Sequence, residues 1–141
     1  MSTRVFFYGL YMDATLLESM GFRPQRIGAA RLDNFQLKIG KRATLIPARG
    51  ESSYGYLHDL PREEVSALYS RPEVRGYIQQ PVVATLLADS ALHHASCYVL
   101  QSAEIGSSTN VEYAAKLAAL VSHLGLPSKY AKEIEALVDT T

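Results

Sequence analysis

The N-terminal part of the chain places apolar side chains at the spacing of a β-strand followed by a short helix. Thr3–Tyr8 is short, β-branched and aromatic, and Gly9 ends it. A helix is predicted over Asp13–Ser19, with the aspartate as its N-cap. Gly9–Met12 is therefore predicted to be a tight strand-to-helix connection. Such a connection leaves several backbone N–H groups on one side, where an anion or a polarised carbonyl could bind.

Alternating apolar positions continue after this helix and predict a series of strands. Pro47 and the turn Ala48–Glu51 are expected to separate the second strand of the series from the third, and a hairpin around Asp89–His94 is expected to join the last two. Pro81 indicates an edge position or a bulge. The predicted strands are Arg31–Ile39, with one irregularity, and Ala43–Ile46, Tyr54–Leu60, Tyr77–Leu87 and Ala95–Gln101.

Helical spacing appears once between the strands and then dominates the C-terminal part. Pro61 suits the first turn of a helix that extends to about Tyr69, and Ser70–Gly76 is predicted to be a loop. After the polar loop Ser102–Asn110, two helices are predicted. The first is capped by Asn110 or Thr109, runs through His123 and has an apolar face. The second is capped by Ser128 and runs from Lys129 to about Val138. Strands followed by helices indicate an α+β fold.

Composition narrows the classes of protein to consider. A chain of 141 residues with 48% hydrophobic and 20% charged residues is expected to form a single domain over residues 1–141. Lys+Arg and Asp+Glu both number 14, which argues against a nucleic-acid or anionic-membrane partner. The sequence has no apolar run of about 18 residues, so no membrane span is expected and a cytoplasmic location is the default. Cys97 is the only cysteine and is expected to be a buried structural thiol.

Three segments in order resemble one family, the γ-glutamylcyclotransferase-like (AIG2-like) proteins. Val5–Met12 is similar to the family's opening strand followed by YGSxM/L. Gly55–Leu60 and the helix after it resemble the GxxYxL segment and its short helix. Tyr113, followed by Gly125–Tyr130, resembles the Y…GLPxxY tail of several members. Together the segments cover nearly the whole chain.

The resemblance implies a small, mostly antiparallel or mixed β-barrel with flanking helices, and a pocket between the first loop and the segment after the short helix. The family's reaction lets a γ-glutamyl amine or related amide cyclise through its own α-amine, giving 5-oxoproline and a free amine. One carboxylate can shuttle the proton, and fixed backbone donors can hold the oxyanion. The resemblance implies no metal or cofactor. It implies substrate contacts for Tyr8, Gly9, Leu10, Tyr11, Met12 and Tyr77.

The sequence departs from the family's pattern at three positions. Leu10 stands where a small polar residue usually follows Tyr-Gly. Pro72 stands at the position counted for the family's acid, and Glu73 follows it. Tyr69 replaces the usual aspartate. Two interpretations of Glu73 stay open: the catalytic acid/base, if the loop before Tyr77 is locally shorter, or an ordinary solvated loop glutamate.

Three hypotheses of function follow. The leading one is a γ-glutamylcyclotransferase-like enzyme acting on a small molecule, with Glu73 as acid/base. The alternative is a catalytically lapsed module that binds a small metabolite in the same pocket. The third is an interaction protein that forms a homodimer through the helical tail Val111–Val138.

Among the basic residues around Gly40, Arg42 either ends a solvated strand or holds a substrate carboxylate. The four histidines lack metal-ligand spacing, and His93 and His94 are expected at an exposed hairpin tip.

Overall fold

Five strands close into a barrel in the computed structural model, which describes residues 2–100 and 109–137. The order around the barrel is β1-β3-β2-β4-β5. The β1–β5 contact is parallel and the other pairs are antiparallel, so the barrel is mixed, as the resemblance implied. The strands are β1 (Ser2–Phe7), β2 (Gln25–Ile39), β3 (Ala43–Pro61), β4 (Ile78–Leu86) and β5 (Leu92–Val99).

Four α-helices flank the barrel: α1 (Ala14–Ser19), α2 (Arg62–Leu68), α3 (Val111–His123) and α4 (Ser128–Ala136). The predicted cap of α1 is confirmed, and of the two candidates for α3 the structure has Asn110 rather than Thr109. The Asp13 carboxylate accepts a hydrogen bond from Thr15 N at 3.0 Å, and the Asn110 side-chain oxygen accepts one from Tyr113 N at 3.1 Å. The predicted Ser128 cap of α4 is wrong, because Ser128 is the first helical residue and Pro127 occupies the N-cap position. The predicted helix end at Val138, the strand end at Gln101 and most of the loop Ser102–Asn110 lie outside the described residues.

The predicted break between Ala43–Ile46 and Tyr54–Leu60 is wrong, because both belong to β3. The pairing of β2 with β3 passes from Asp33↔Ser52 to Phe35↔Pro47, so residues 48–51 form a bulge opposite Asn34. Asn34 has φ 67° and its Oδ1 accepts a hydrogen bond from the Gly50 N–H at 3.1 Å. A bulge therefore absorbs the proline and the turn residues without ending the strand.

Strand bounds differ from the predictions at two other places. β2 begins at Gln25 rather than Arg31, because its first residues, although weakly apolar, pair with β3 as far as Gln25↔Asp59. β5 begins at Leu92 rather than Ala95, since the Asp89 carboxylate accepts a hydrogen bond from Ala91 N and tightens the hairpin before that point. His93 therefore lies within β5, where its Nδ1 accepts a hydrogen bond from Arg4 Nη1 at 2.9 Å.

The core fills the barrel and extends to the inner faces of the C-terminal helices. The predicted apolar face of α3 packs inward, and Val111 is the one exposed large apolar side chain on the described parts of α3 and α4. Cys97 is buried in this core, and its burial raises the pKa of the thiol to about 12. The thiol is therefore neutral, as expected for a structural cysteine. Within the ranges that the structure describes, no helix is long and apolar enough to cross a membrane.

Candidate functional site

The connection after β1 is a single 3₁₀ turn, Leu10–Met12, that leads directly into α1. Two hydrogen bonds close it: Met12 N donates to the Gly9 carbonyl at 3.0 Å, and Asp13 N donates to the Leu10 carbonyl at 3.2 Å. These bonds do not use the N–H groups of Gly9, Leu10 and Tyr11, as at the start of any helical turn. The connection therefore has the tight geometry predicted from the sequence.

A cavity of about 330 Å³ opens beside this turn. It brings together Glu73 and five of the six residues predicted to contact a substrate, and leaves out Met12. The Met12 side chain is 1% exposed and packs in the core, because the turn directs it inward. The lining residues are Phe7, Tyr8, Gly9, Leu10, Tyr11, Leu16, Lys41, Arg42, Ala43, Tyr69, Glu73, Val74, Tyr77, Tyr98 and Tyr113.

Tyrosine rings form one wall of the cavity, and backbone carbonyls hold the hydroxyls of two of them. Tyr69 stacks on Tyr98 with ring centroids 3.8 Å apart and planes 13° apart. The Tyr8 hydroxyl donates to the Tyr98 carbonyl, and the Tyr77 hydroxyl donates to the Ala43 carbonyl, both at 2.5 Å. Burial raises the pKa of Tyr8 and of Tyr69 well above the usual range. This wall is therefore made of neutral phenols with little freedom to rotate.

Tyr113, on α3, closes the cavity from the side of the C-terminal helices. A Cβ atom added to Gly9 would lie 2.5 Å from the Tyr113 hydroxyl oxygen, so the close approach requires glycine at position 9. Burial raises the pKa of Tyr113 to about 12, and a hydrogen bond from the Leu10 backbone opposes this shift. The tyrosine of the tail motif thus contacts the opening turn, which links two of the three segments that carried the resemblance.

Glu73 is the one acidic residue that lines the cavity in the described part of the chain. It lies in a second 3₁₀ turn, Pro72–Val74, within the segment predicted to be a loop. Its side chain is 53% exposed, and Arg71 Nε donates to its Oε1. Burial raises the pKa of Tyr11, and the negative charge of Glu73 adds to this effect. Arg71 opposes both effects through its charge and a side-chain hydrogen bond to Tyr11. Arg71 therefore contacts both Glu73 and the opening turn.

Two cationic residues, Lys41 and Arg42, lie on the same cavity. The Arg42 guanidinium is 5.3 Å from the centre of the Tyr77 ring, and its Nη1 donates to the Arg75 carbonyl at 2.6 Å. Of the two interpretations left open for Arg42, its place in the structure fits the one in which it reaches the pocket. Cations on the rim favour a ligand that carries a carboxylate.

The described residues contain no group of three or more His, Cys, Asp or Glu side chains that could hold a metal ion. The groups that line the cavity include one carboxylate, tyrosine phenols, two cations and the backbone of Gly9–Tyr11. This set can bind a zwitterionic small molecule, transfer a proton and stabilise a developing oxyanion.

No protein-family model matches the chain, and no curated protein matches its sequence. Solved structures do match its fold. One described as a γ-glutamyl cyclotransferase has a TM-score of 0.81 at 16% identity, over 96% of this chain and 88% of that one. An uncharacterized human protein has a TM-score of 0.79 at 19% identity, over 96% of this chain and 87% of that one. A yeast γ-glutamyl cyclotransferase described as specific to glutathione has a TM-score of 0.69 at 16% identity, over 98% of this chain and 96% of that one.

These similarities confirm the predicted α+β fold of the γ-glutamylcyclotransferase type. At such low identity they speak for the fold alone. Sequence reasoning missed Tyr69, Tyr98 and Tyr113 as parts of the cavity. Tyr113 carried a usable signal, because it belongs to the tail motif. Tyr98 carried none, because either face of a predicted strand can point towards a cavity.

Proposed function

We propose that this chain is a γ-glutamylcyclotransferase-like enzyme that releases 5-oxoproline and a free amine from a small γ-glutamyl amine or related amide. The observation that carries the proposal is the single cavity shared by the turn Gly9–Tyr11 and the carboxylate of Glu73, which are far apart in the sequence. The barrel that holds them has the fold of structures described as γ-glutamyl cyclotransferases.

The first step that we propose is a proton transfer to Glu73. The α-ammonium of the γ-glutamyl group gives a proton to the carboxylate and becomes a free amine with a lone pair. For this, Glu73 turns from Arg71 towards the substrate, which its exposed position on a short turn allows. The freed amine attacks the γ-carbonyl carbon, and the new C–N bond closes a five-membered ring. Holding the two reacting groups together offsets much of the entropic cost of ring closure.

Attack places a negative charge on the γ-carbonyl oxygen. The N–H groups of Gly9 and Tyr11 are the donors that this proposal assigns to the oxyanion, since the Leu10 N–H already donates to the Tyr113 hydroxyl. Collapse of the tetrahedral intermediate breaks the C–N bond to the leaving amine. The leaving nitrogen takes the proton from the Glu73 carboxyl group. The ring nitrogen, which keeps two hydrogens and a positive charge after attack, gives its second proton to the freed carboxylate, and Glu73 passes this proton to the departing amine, which leaves as an ammonium ion. The glutamate returns to its ionised form. Protons and electrons balance without an added co-reactant.

Substrate orientation is assigned to the cationic rim and the tyrosine wall. Arg42 and Lys41 can pair with the α-carboxylate of the γ-glutamyl group, while the rings of Tyr69, Tyr77 and Tyr98 exclude water from the chain of the substrate. The proposed partner is thus a small molecule rather than a nucleic acid or a membrane, and a cytoplasmic location belongs to the same proposal.

One observation favours a second candidate, a binding module without turnover. Glu73 is half-exposed and paired with Arg71, whereas a general acid is usually shielded from solvent. Pro72 occupies the position counted for the family's acid. The same cavity would then hold a small anionic metabolite through Lys41 and Arg42.

A panel of γ-glutamyl amino acids, γ-glutamyl amines and glutathione separates the two candidates. We expect 5-oxoproline to appear with at least one compound, together with the free amine in equal amount. Thermal stabilisation by a panel compound that is recovered unchanged would favour the binding module instead. Neither release nor stabilisation across the panel would contradict both.

A further inference from the structure

His58 lies in β3 directly behind the opening turn and is fully buried, at 0% exposure. Its Nε2 is 2.9 Å from the carbonyl oxygen of Met12. A carbonyl oxygen can only accept a hydrogen bond, so Nε2 carries the proton of the neutral ring. The tautomer of this imidazole is therefore fixed by the backbone of the turn.

The other ring nitrogen of His58 has no hydrogen-bond partner among the described residues. Aromatic rings surround it: Tyr56 stacks on the imidazole with centroids 4.8 Å apart, and the Phe7 ring is 5.7 Å away. Burying an unpaired acceptor costs free energy, and a phenyl ring would fill a similar space without that cost. The one contact that an imidazole makes here and a phenyl ring could not make is the hydrogen bond to Met12.

That hydrogen bond holds the C-terminal end of the turn. The Met12 carbonyl shares its peptide plane with the Asp13 N–H, which donates to the Leu10 carbonyl at 3.2 Å, and the neighbouring peptide donates the Met12 N–H to the Gly9 carbonyl at 3.0 Å. Holding the Met12 carbonyl therefore supports both hydrogen bonds that close the turn. The residues between them line the cavity through Gly9, Leu10 and Tyr11. We infer that His58 is a positioning residue, whose Nε2–H holds the Met12 carbonyl and thereby fixes the backbone of Gly9–Tyr11, which lines the cavity.

The charges around His58 are consistent with a neutral ring. Burial lowers its pKa, the hydrogen bond to Met12 opposes this, and the positive charge of Arg26 adds to the lowering. Asp13 and Asp59 act weakly in the other direction. The inference does not depend on the chemistry proposed for Glu73, because a binding module would need the same oriented turn.

Two variants separate the hydrogen bond from the space that the ring fills. His58→Gln retains a side-chain N–H donor, and His58→Phe retains a ring but loses the donor. The measurement is the hydrogen exchange rate of the Met12 amide, with the Val121 amide of α3 as an internal control for global unfolding. We expect exchange at Met12 to be roughly tenfold faster in His58→Phe and within about threefold of wild type in His58→Gln. Equal rates in the two variants, whether fast or slow, would overturn the inference.

The wild-type protein provides a second test that needs no variant. Two-bond ¹H–¹⁵N correlation spectra of the histidine rings report which nitrogen is protonated. We expect His58 to be neutral and protonated at Nε2 at pH 7. A proton on Nδ1, or a doubly protonated ring, would overturn the inference even if both variants failed to fold.

Discussion

Gly55 in the barrel wall and Gly9 at the cavity both allow another group to approach closely, but the two groups differ in kind. A Cβ atom at Gly55 would lie 2.2 Å from the backbone carbonyl oxygen of Phe7 and 2.7 Å from the Phe6 ring. At Gly9 it would lie 2.5 Å from the Tyr113 hydroxyl, and the next atom is 3.8 Å away. The wall is therefore fixed by the backbone itself, whereas the cavity turn is fixed by a side chain that can be exchanged.

This difference separates the positions that determine the fold from those that determine the site. A larger side chain at Gly55 has to shift β1 relative to β3, and these two strands are hydrogen-bonded to each other in the barrel. A Cβ atom at Gly9, in contrast, meets only the end of the Tyr113 side chain within 4 Å. The lining of the cavity can thus vary on an unchanged barrel, and the departure at Leu10 from the family's small polar residue is one such variation.

The largest loss of stability is expected for Gly55→Ala. Because backbone and a packed ring occupy the space, the substitution should reduce the free energy of unfolding by about 3 kcal/mol. Urea unfolding measures it. Gly125→Ala is the control, since a Cβ there meets nothing within 4 Å and only the φ of +77° is unfavourable, which costs about 1 kcal/mol. A Gly55 variant no less stable than this control would show that the wall is not rigid.

A smaller effect is expected for Gly9→Ala, about 2 kcal/mol, because the atom in its way is the end of a side chain. Removing that hydroxyl in Gly9→Ala, Tyr113→Phe should restore most of the lost stability. A double-mutant cycle in urea measures the coupling between the two positions. If the two substitutions were simply additive, the Tyr113 hydroxyl would not be what requires glycine at position 9.

The smallest change in the free energy of unfolding is expected when the pH is lowered and His58 becomes protonated. His58 has a lowered pKa in the folded protein, whereas in the unfolded chain it titrates near the ordinary value of 6.5. Between the two values the unfolded chain binds more protons, so the stability present above pH 6.5 is lost as the pH falls below it. Each unit of pKa difference corresponds to about 1.4 kcal/mol. Unfolding free energies measured from pH 7 to 5 should fall more steeply for wild type than for His58→Gln.

Carboxylates act in a different part of the pH range and can be told apart from His58. Arg31 holds the pKa of Asp33 below its ordinary value of 3.8. Burial raises the pKa of Glu64, but the hydrogen bonds and charge of Arg23 together outweigh this and hold it below 4.5. Their contributions are lost only as the pH falls below those values. If the unfolding free energies of wild type and His58→Gln changed in parallel above pH 5, the loss of stability between pH 7 and 5 would not come from His58.

Features set by neighbours in sequence were predicted well. The caps at Asp13 and Asn110 depend on a side chain and a backbone N–H two or three residues away. The sequence predicts Asp13 alone at the first helix and Asn110 or Thr109 at the other. The α+β class followed from the order of the periodic segments. The closed barrel itself came from the family resemblance, because alternation alone does not say which strands pair.

Features set by tertiary contacts were missed for identifiable reasons. Pro47 and the residues after it give the same local signal for a strand break and for a bulge, and only the pairing with Asn34 distinguishes them. Tyr98 faces the cavity because the barrel closes between β1 and β5, which the sequence of β5 does not encode. The sequence did not indicate a role for His58, because its hydrogen-bond partner is a backbone carbonyl 46 positions away.

The rate of 5-oxoproline release by wild type, Glu73→Gln and Glu63→Gln is the most direct test of the proposed chemistry. Glu63 lies exposed on α2, away from the cavity lining, so its substitution controls for the loss of one negative charge. We expect equal release by wild type and Glu63→Gln, and release at least roughly 100-fold slower by Glu73→Gln, because the amide cannot take the proton. Equal rates for wild type and Glu73→Gln, or no release by wild type, would contradict it.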